Sequence, residues 1–375
     1  MVDFKKLFSG IPKGISLDFI RDLLPGSKLL AGLDVGSSSI KLAEIEETAK
    51  GRILSRFYQM PLTKGVIEEG VAIETQELSQ KIKELLKKSG CKRRKIVTSL
   101  SGHSVIVKKV TFATMEDAEL RELIKDEAGK YLPFDNMDDV GFDFQILGEN
   151  EYNPSQMDVI IVAAKQDIID GYTGAIQQAG YVPVIMDVDS FALETMYEQN
   201  YEFEEHEMAV LINIGASITN INVVKAGASI FTRDFTLAGN SITEALQQKL
   251  GVTFEEAEKI KVDGPEGDES VQREFRESLL AYADPICSEI ERSIDYFRST
   301  YGGEYLKHVL LCGGSAKIPG IVNDLSQRLN IDVEIANPFK KIGYNPKAID
   351  PSTIERIAPI AAVGVGLALR KVGDK

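Results

Sequence analysis

Two short stretches of the chain carry side chains that could grip a phosphate. The first, "LDVGSSSIK" (33–41), ends an apolar run on Asp34 and follows it with Gly36, three serines and Lys41. A glycine at position 36 lets successive backbone N–H groups point into one concavity. Ser37, Ser38 and Ser39 add hydroxyl donors, and Lys41 adds a cation seven residues after the acid. A carboxylate, a nest of amides and an ammonium group together suit a magnesium ion bound to phosphate. The second stretch, "INIGASITN" (212–220), repeats the first at an offset of 179 residues, from Asp34 to Asn213. Gly215 answers Gly36 and Ser217 answers Ser38. Where the first copy carries an acid the second carries an amide: Asn213 brings no charge to a metal and takes no proton from water.

Two further stretches suit the same ligand. In "VLLCGGSAKIPGIVNDL" (309–325) an apolar strand runs into Gly313 and Gly314, then Ser315 and Lys317. The glycines let backbone approach a ligand closely, and Pro319 suits the first turn of a helix. In "LAGNSITEALQQKLGVTFEEAEKIK" (237–261) the pair Gly239-Asn240 opens a helix whose N-terminus favours anions. A second helix then presents Glu255, Glu258 and Lys259. These can grip a ribose or purine, or form a solvated surface pair. No GxxxxGK[ST] stretch occurs, which excludes a Walker-type phosphate loop.

Such residues need elements to hold them. A chain of 375 residues has room for two domains with their own cores. Two matching turns half a chain apart predict duplicated α/β domains facing each other across a cleft. The first domain is expected over 29–103 and about 186–207, and the second over 208–238 and 306–375. A helical subdomain over 239–305 would reach the nucleoside. Between them, residues 104–185 read as a compact α+β insert without a catalytic constellation. Residues 1–28 form an extension. Its Phe4, Leu7, Phe8 and Ile11 share a helical face beside Lys5 and Lys6, a pattern that can meet an anionic membrane, a partner or the chain's own domain.

The composition narrows the function. A net charge of −14 with no basic stripe argues against nucleic acid as a partner. Three dispersed cysteines suit a reducing cytoplasm, and three scattered histidines make neither a zinc site nor a Ser–His–Asp order. The apolar run "IAPIAAVGVGLAL" (357–369) is shorter than the ~20 residues of a membrane span and predicts a buried helix. No signal-peptide pattern opens the chain, so a cytoplasmic protein is expected.

In this order the motifs resemble the superfamily of actin, heat-shock and FtsA ATPases, over about residues 30–370. The resemblance implies an actin-like (RNase H-like) duplicated two-domain fold with an FtsA-type insert (1C-like) in place of the usual actin subdomain. Three stretches, "GLDVGSSSIKLAEI", "KYLPFD" and "IAPIAAVGVGLALR", look like the type IV pilus assembly family PilM. The chain ends at "LRKVGDK" without the amphipathic helix of an FtsA protein, which leaves an FtsA-like filament tether as the alternative. A working enzyme such as a sugar kinase would need a catalytic Asp that no motif places.

The resemblance also assigns roles for ATP and magnesium. Asp34 would orient Mg²⁺ through water, and Gly36, Ser37, Ser38, Ser39 and Lys41 would hold the β- and γ-phosphates. Gly215, Ala216 and Ser217 would close from the other domain, beside Asn213. Gly239 and Asn240 would sit near the ribose and phosphates. Glu255, Glu258 and Lys259 would reach the nucleoside, and Gly313, Gly314, Ser315 and Lys317 the base. Asp189 would lie near the position of actin's water-orienting Gln. The superfamily usually has Asp at position 213, so the amide implies binding with slow or absent hydrolysis. PilM resemblance implies a groove beside the insert for the cytoplasmic tail of the inner-membrane protein PilN. It implies further contacts to inner-membrane pilus proteins, a possible ring or homo-oligomer, and a place at the inner membrane through the partner.

Overall fold

Five apolar-to-acid residues in a row, Ala31–Val35, form strand β1, and all five are buried. A strand covered on both faces belongs inside a sheet. On one side β1 pairs antiparallel with β2 (Ser39–Thr48), which pairs with β3 (Gly51–Pro61). The hairpin of β4 (Ile67–Glu68) and β5 (Val71–Ala72) leads to helix α1 (Thr75–Ser89). Its Leu78, Ile82, Leu85 and Leu86 make one buried stripe. Strand β6 (Lys95–Leu100) then returns parallel to β1 on its other side. This structure, a computed structural model, describes residues 30–134, 137–150, 152–204, 206–301, 306–346 and 349–371. The extension expected over 1–28 lies outside the described residues.

The next elements are β7 (Val105–Ala113), α2 (Asp117–Tyr131), β8 (Val140–Asn150), β9 (Asn153–Lys165), α3 (Gln166–Gln178) and β10 (Val182–Val188). Strands β7, β9 and β8 form a separate antiparallel sheet in that order. Leu120 and Ile124 of α2 pack on its Phe144, Val159 and Ile161. The insert expected over 104–185 has its own sheet only as far as Lys165. Strand β10 instead pairs parallel with β6 and ends the large sheet. Its near-continuous apolar run suits that place, since α3 and helix α4 (Asp189–Asn200) both pack on it.

The pattern then repeats. Strands β11 (Met208–Ile214), β12 (Thr219–Lys225) and β13 (Ala228–Phe235) run antiparallel, and helices α5 (Gly239–Leu250), α6 (Phe254–Asp263) and α7 (Glu269–Tyr301) follow. Strand β14 (Leu306–Cys312), helix α8 (Ile321–Leu329) and β15 (Asp332–Ile335) complete a second sheet ordered β13-β12-β11-β14-β15. The first sheet runs β3-β2-β1-β6-β10, the same order of three antiparallel strands and then two parallel ones. The duplication read from two turns therefore extends through both sheets.

The chain ends by tying the halves together. Strand β16 (Gly343–Tyr344) extends the first sheet beside β3, and helix α9 (Pro351–Leu369) packs on β1, β2 and α4. Helix α9 is long and apolar enough to cross a membrane, yet 67% of its most apolar window is buried inside the protein. It is the core helix that the apolar run predicted. Gly366 lies so close to α4 that a β-carbon would overlap the backbone carbonyl of Ala192. Overpacked backbone of this kind cannot relax by a rotamer change. Gly366→Ala should therefore lower stability by about 3 kcal/mol, read as a lower urea midpoint at unchanged slope.

Candidate nucleotide-binding site

The two turns are built alike. In each, a glycine N–H closes the loop on the carbonyl three residues ahead: Gly36 to Ser39 at 3.1 Å, and Gly215 to Ile218 at 3.0 Å. The strand register then sets residue 34 opposite 41 and residue 213 opposite 220. In the first turn that pair is ionic, with Lys41 Nζ 3.0 Å from Asp34 Oδ2. In the second it is a pair of amides, with Asn213 Nδ2 donating to Asn220 Oδ1 at 3.2 Å. The repeat has thus lost both charges, not only the acid visible at position 213.

The turns meet at their tips, where the Ser217 hydroxyl donates to Ser37 Oγ at 2.7 Å. Beside them a second contact joins the halves, from the Gly102 N–H to Asp234 Oδ2 at 2.7 Å. Behind the tips lies a cavity of about 430 Å³. Its lining includes Asp34, all of residues 36–39, Lys41, Asn213, Gly215, Ala216, Ser217, Glu258, Gly313, Gly314, Ser315 and Lys317. Four sequence-distant motifs therefore converge on one space.

Gly313 is fixed by two demands. Its φ of +91° favours glycine, and a β-carbon there would stand 2.7 Å from Asn213 Oδ1 and overlap the Ile214 carbonyl. Its N–H donates to the Pro359 carbonyl of α9 at 2.8 Å. The glycine loop, the second turn and the core helix are thereby locked together. Ser315 Oγ adds a bond to the Gly215 carbonyl at 3.2 Å.

Other expected residues stand elsewhere. Gly239 and Asn240 do not line the cavity but brace the second turn from behind. Their N–H groups donate to the carbonyls of Gly215 and Ala216 at 3.0 and 2.7 Å, and Asn240 Nδ2 reaches Ser217 Oγ at 3.1 Å. Glu255 and Lys259 are exposed and outside the lining. The lysine at the cavity is Lys261, whose ammonium binds Glu258 at 2.6 Å, the Thr243 hydroxyl at 2.7 Å and the Gly239 carbonyl at 3.0 Å. The capping box of Thr253 and Glu256 sets the phase of α6. It turns Ala257 inward, and Lys261 lies one turn further on the same face, whereas Lys259 lies about 200° away from Ala257. That box was legible as "TFEE", so helical phase was the signal that could have found Lys261. Val262, Phe275, Arg276, Leu279 and Ile318 extend the cavity beyond the glycine loop. They come from α6, α7 and the loop before α8, and no local motif marks them.

Asp189, the first residue of α4, also lines the cavity. Burial, and then the negative charge of Asp34, push its carboxyl up to about 7. The Ser99 hydroxyl donates to it at 2.5 Å and opposes that rise. A second carboxyl, disfavoured from ionising by burial and by the charge of Asp34, therefore lines the same cavity.

The site fits a magnesium–nucleotide pair by its chemistry. It offers the buried Asp34 carboxylate, hydroxyl and amide donors at two turns, a glycine loop and an apolar end, in a volume within the ~300–1,000 Å³ of ligand pockets. The profile of the family described as Type IV pilus assembly protein PilM matches residues 32–372 of this chain. The chain belongs to the PilM family. A solved structure titled PilM–PilN type IV pilus biogenesis complex is 28% identical, with a TM-score of 0.79, covering 92% of this chain and 99% of that one. The cell division protein FtsA of Pseudomonas aeruginosa is 22% identical, over 91% of this chain and 88% of its own length. MreB 5 of Spiroplasma citri, solved bound to AMPPNP, is 11% identical at a TM-score of 0.50, covering 91% of this chain and 95% of that one. The fold is that of the actin-like ATPases, and a PilM-family chain carries FtsA similarity with it.

Proposed function

We propose that this PilM-family protein is a cytoplasmic scaffold of type IV pilus assembly that holds magnesium-ATP and turns it over slowly or not at all. The observation that carries the reading is the asymmetric repeat, an Asp34–Lys41 ion pair facing an Asn213–Asn220 amide pair across one cavity. Phosphoryl transfer depends on positioning and on charge aimed at the reacting oxygens. The first turn keeps both the carboxylate and the lysine for gripping the ligand. At the second turn an amide can hydrogen-bond a hydration water but supplies no charge. Bound nucleotide would supply triphosphate charge that both turns grip, tying the two halves together.

The second half of the reading is a partner. A cavity of about 590 Å³ lies between the insert sheet, strand β10 and helix α4, and the similar solved structure is titled as a complex with PilN. This groove would take the cytoplasmic tail of PilN and so hold the protein at the inner membrane. Helix α4 is shared between the two sites, since Asp189 lines the nucleotide cavity while Glu194 and Glu198 line the groove. Domain closure on nucleotide could thereby bias partner affinity.

Calorimetric titration of the full chain with a PilN tail peptide, with and without magnesium-ATP, tests the partner half. Binding that nucleotide alters supports it; no binding in either state refutes it. For the nucleotide half, Lys261→Ala should weaken ATP about tenfold through loss of a charge-assisted contact. Lys259→Ala should leave the affinity unchanged, and the same titration reads both.

A further inference from the structure

Strands β1, β6 and β10 run parallel, so all three begin at one end of the first sheet, where α1 and α3 finish. That end is basic, in a chain whose net charge is −14. The stretch "KIKELLKKSGCKRRK" (81–95) supplies the later turns of α1 and the loop into β6. Lys83 and Lys87, one helical turn apart, stand on the face of α1 away from its buried stripe. Both are exposed, and so are Lys92 and Arg94 of the loop. The acids at this end are already matched. Glu84 holds Lys88 at 2.7 Å, Glu46 lies 3.9 Å from Arg93, and Glu47 lies 3.6 Å from Arg52. The buried Glu44 faces Arg56 at 2.5 Å. Helix α3 carries Asp167 and Asp170 in its first turns and ends on neutral Gln177 and Gln178. Among the described residues, Lys83, Lys87, Lys92 and Arg94 are left without an acid at ion-pair distance. Like charges at i and i+4 repel, and an anionic surface relieves that repulsion.

The second observation is where the extension joins. Arg93, in the same loop, donates to the carbonyl of Leu30, the first described residue, at 2.5 Å. Residues 1–28 therefore attach beside the exposed cations. Their sequence pairs the same charge with an apolar side, Phe4, Leu7, Phe8 and Ile11 at helical spacing next to Lys5 and Lys6. Nucleic acid and a lipid bilayer both present phosphate to such cations. Only the bilayer also offers hydrocarbon to the apolar side.

We propose that this end of the first sheet, together with the extension attached to it, is a contact surface for an anionic lipid bilayer. Lys83, Lys87, Lys92 and Arg94 meet headgroup phosphates, and the apolar side of residues 4–11 enters the boundary between headgroups and acyl chains. Either signal alone gives reversible attachment, and joining both in one chain makes it stable. The contact is separate from the partner's tail and needs no protein in the bilayer, so its failure would leave the partner reading standing.

Co-sedimentation of the full chain with lipid vesicles tests this. Vesicles of phosphatidylglycerol and phosphatidylethanolamine should bind the wild-type chain, and vesicles of phosphatidylcholine should bind it at least about tenfold more weakly. Raising salt from about 50 to about 500 mM should release the chain from the anionic vesicles. The variant Lys83→Gln/Lys87→Gln/Lys92→Gln should bind them about 10²-fold more weakly, on the order of fivefold for each cation near the surface. These side chains are exposed, so an unchanged thermal midpoint should accompany that loss. The variant Phe4→Ser/Leu7→Ser/Phe8→Ser should weaken binding about tenfold through the lost apolar contact. Equal binding to neutral vesicles, or full binding by the triple Gln variant, would overturn the cation face. Full binding by the Ser variant would overturn the role of the extension. Tighter binding of a fluorescent single-stranded RNA than of anionic vesicles in the same buffer would assign the cations to nucleic acid and overturn the proposal. So would the absence of binding to any vesicle.

Discussion

Asn213→Asp raises phosphate release from magnesium-ATP by about 10²-fold, the scale on which one preorganised electrostatic contact acts. The substitution is close to isosteric, so the turn need not move. Asn213 now donates to Asn220 Oδ1 at 3.2 Å. With a carboxylate at position 213, Asn220 can turn its amide and donate instead, leaving the second carboxylate oxygen for the hydration shell of the metal. Gly313 already stands against the position 213 side chain, which limits its rotamers and keeps the new charge aimed into the cavity. A coupled phosphate-release assay on both chains reads the effect. An unchanged rate in a variant that still binds nucleotide would show that the lost acid does not set turnover.

Asp34→Asn acts on binding. Asp34 is buried, and its only described ion pair is with Lys41, 3.0 Å away across the hairpin. The amide removes the charge that would order the magnesium hydration shell. Loss of such outer-sphere support typically costs about 10–100-fold in metal affinity. The wild-type chain should bind ATP more tightly with magnesium than with EDTA, and the variant should bind equally weakly in both. Lys41 remains to grip phosphate, so magnesium-free affinity should hold or rise. A variant that keeps the full magnesium enhancement would move the metal role away from Asp34.

Much of this was legible in the sequence because it is local. A strand that ends in Asp34 and a glycine three residues before its hydrogen-bond acceptor are read within nine residues, and the same nine-residue pattern recurs 179 residues later. Two sheets with the same strand order follow from that repeat. Tertiary placement was less legible. The run "VPVIMDV" is apolar enough for either sheet, and only its parallel pairing with β6 takes it out of the insert. Glu255 and Lys259 were chosen for charge, whereas helical phase selects Glu258 and Lys261. Phe275 and Leu279 enter the cavity from a 33-residue helix whose stripe reads simply as core. The second loss of charge, Lys41 to Asn220, needed strand register to become visible as a pair.

The most direct measurement takes nucleotide content and turnover from one preparation. The purified protein is denatured, the supernatant is resolved by ion exchange, and phosphate release is assayed in parallel on the native sample. The account predicts co-purified ATP near one equivalent per chain with negligible release. An empty site with rapid release on added magnesium-ATP would contradict it and make the protein a working ATPase.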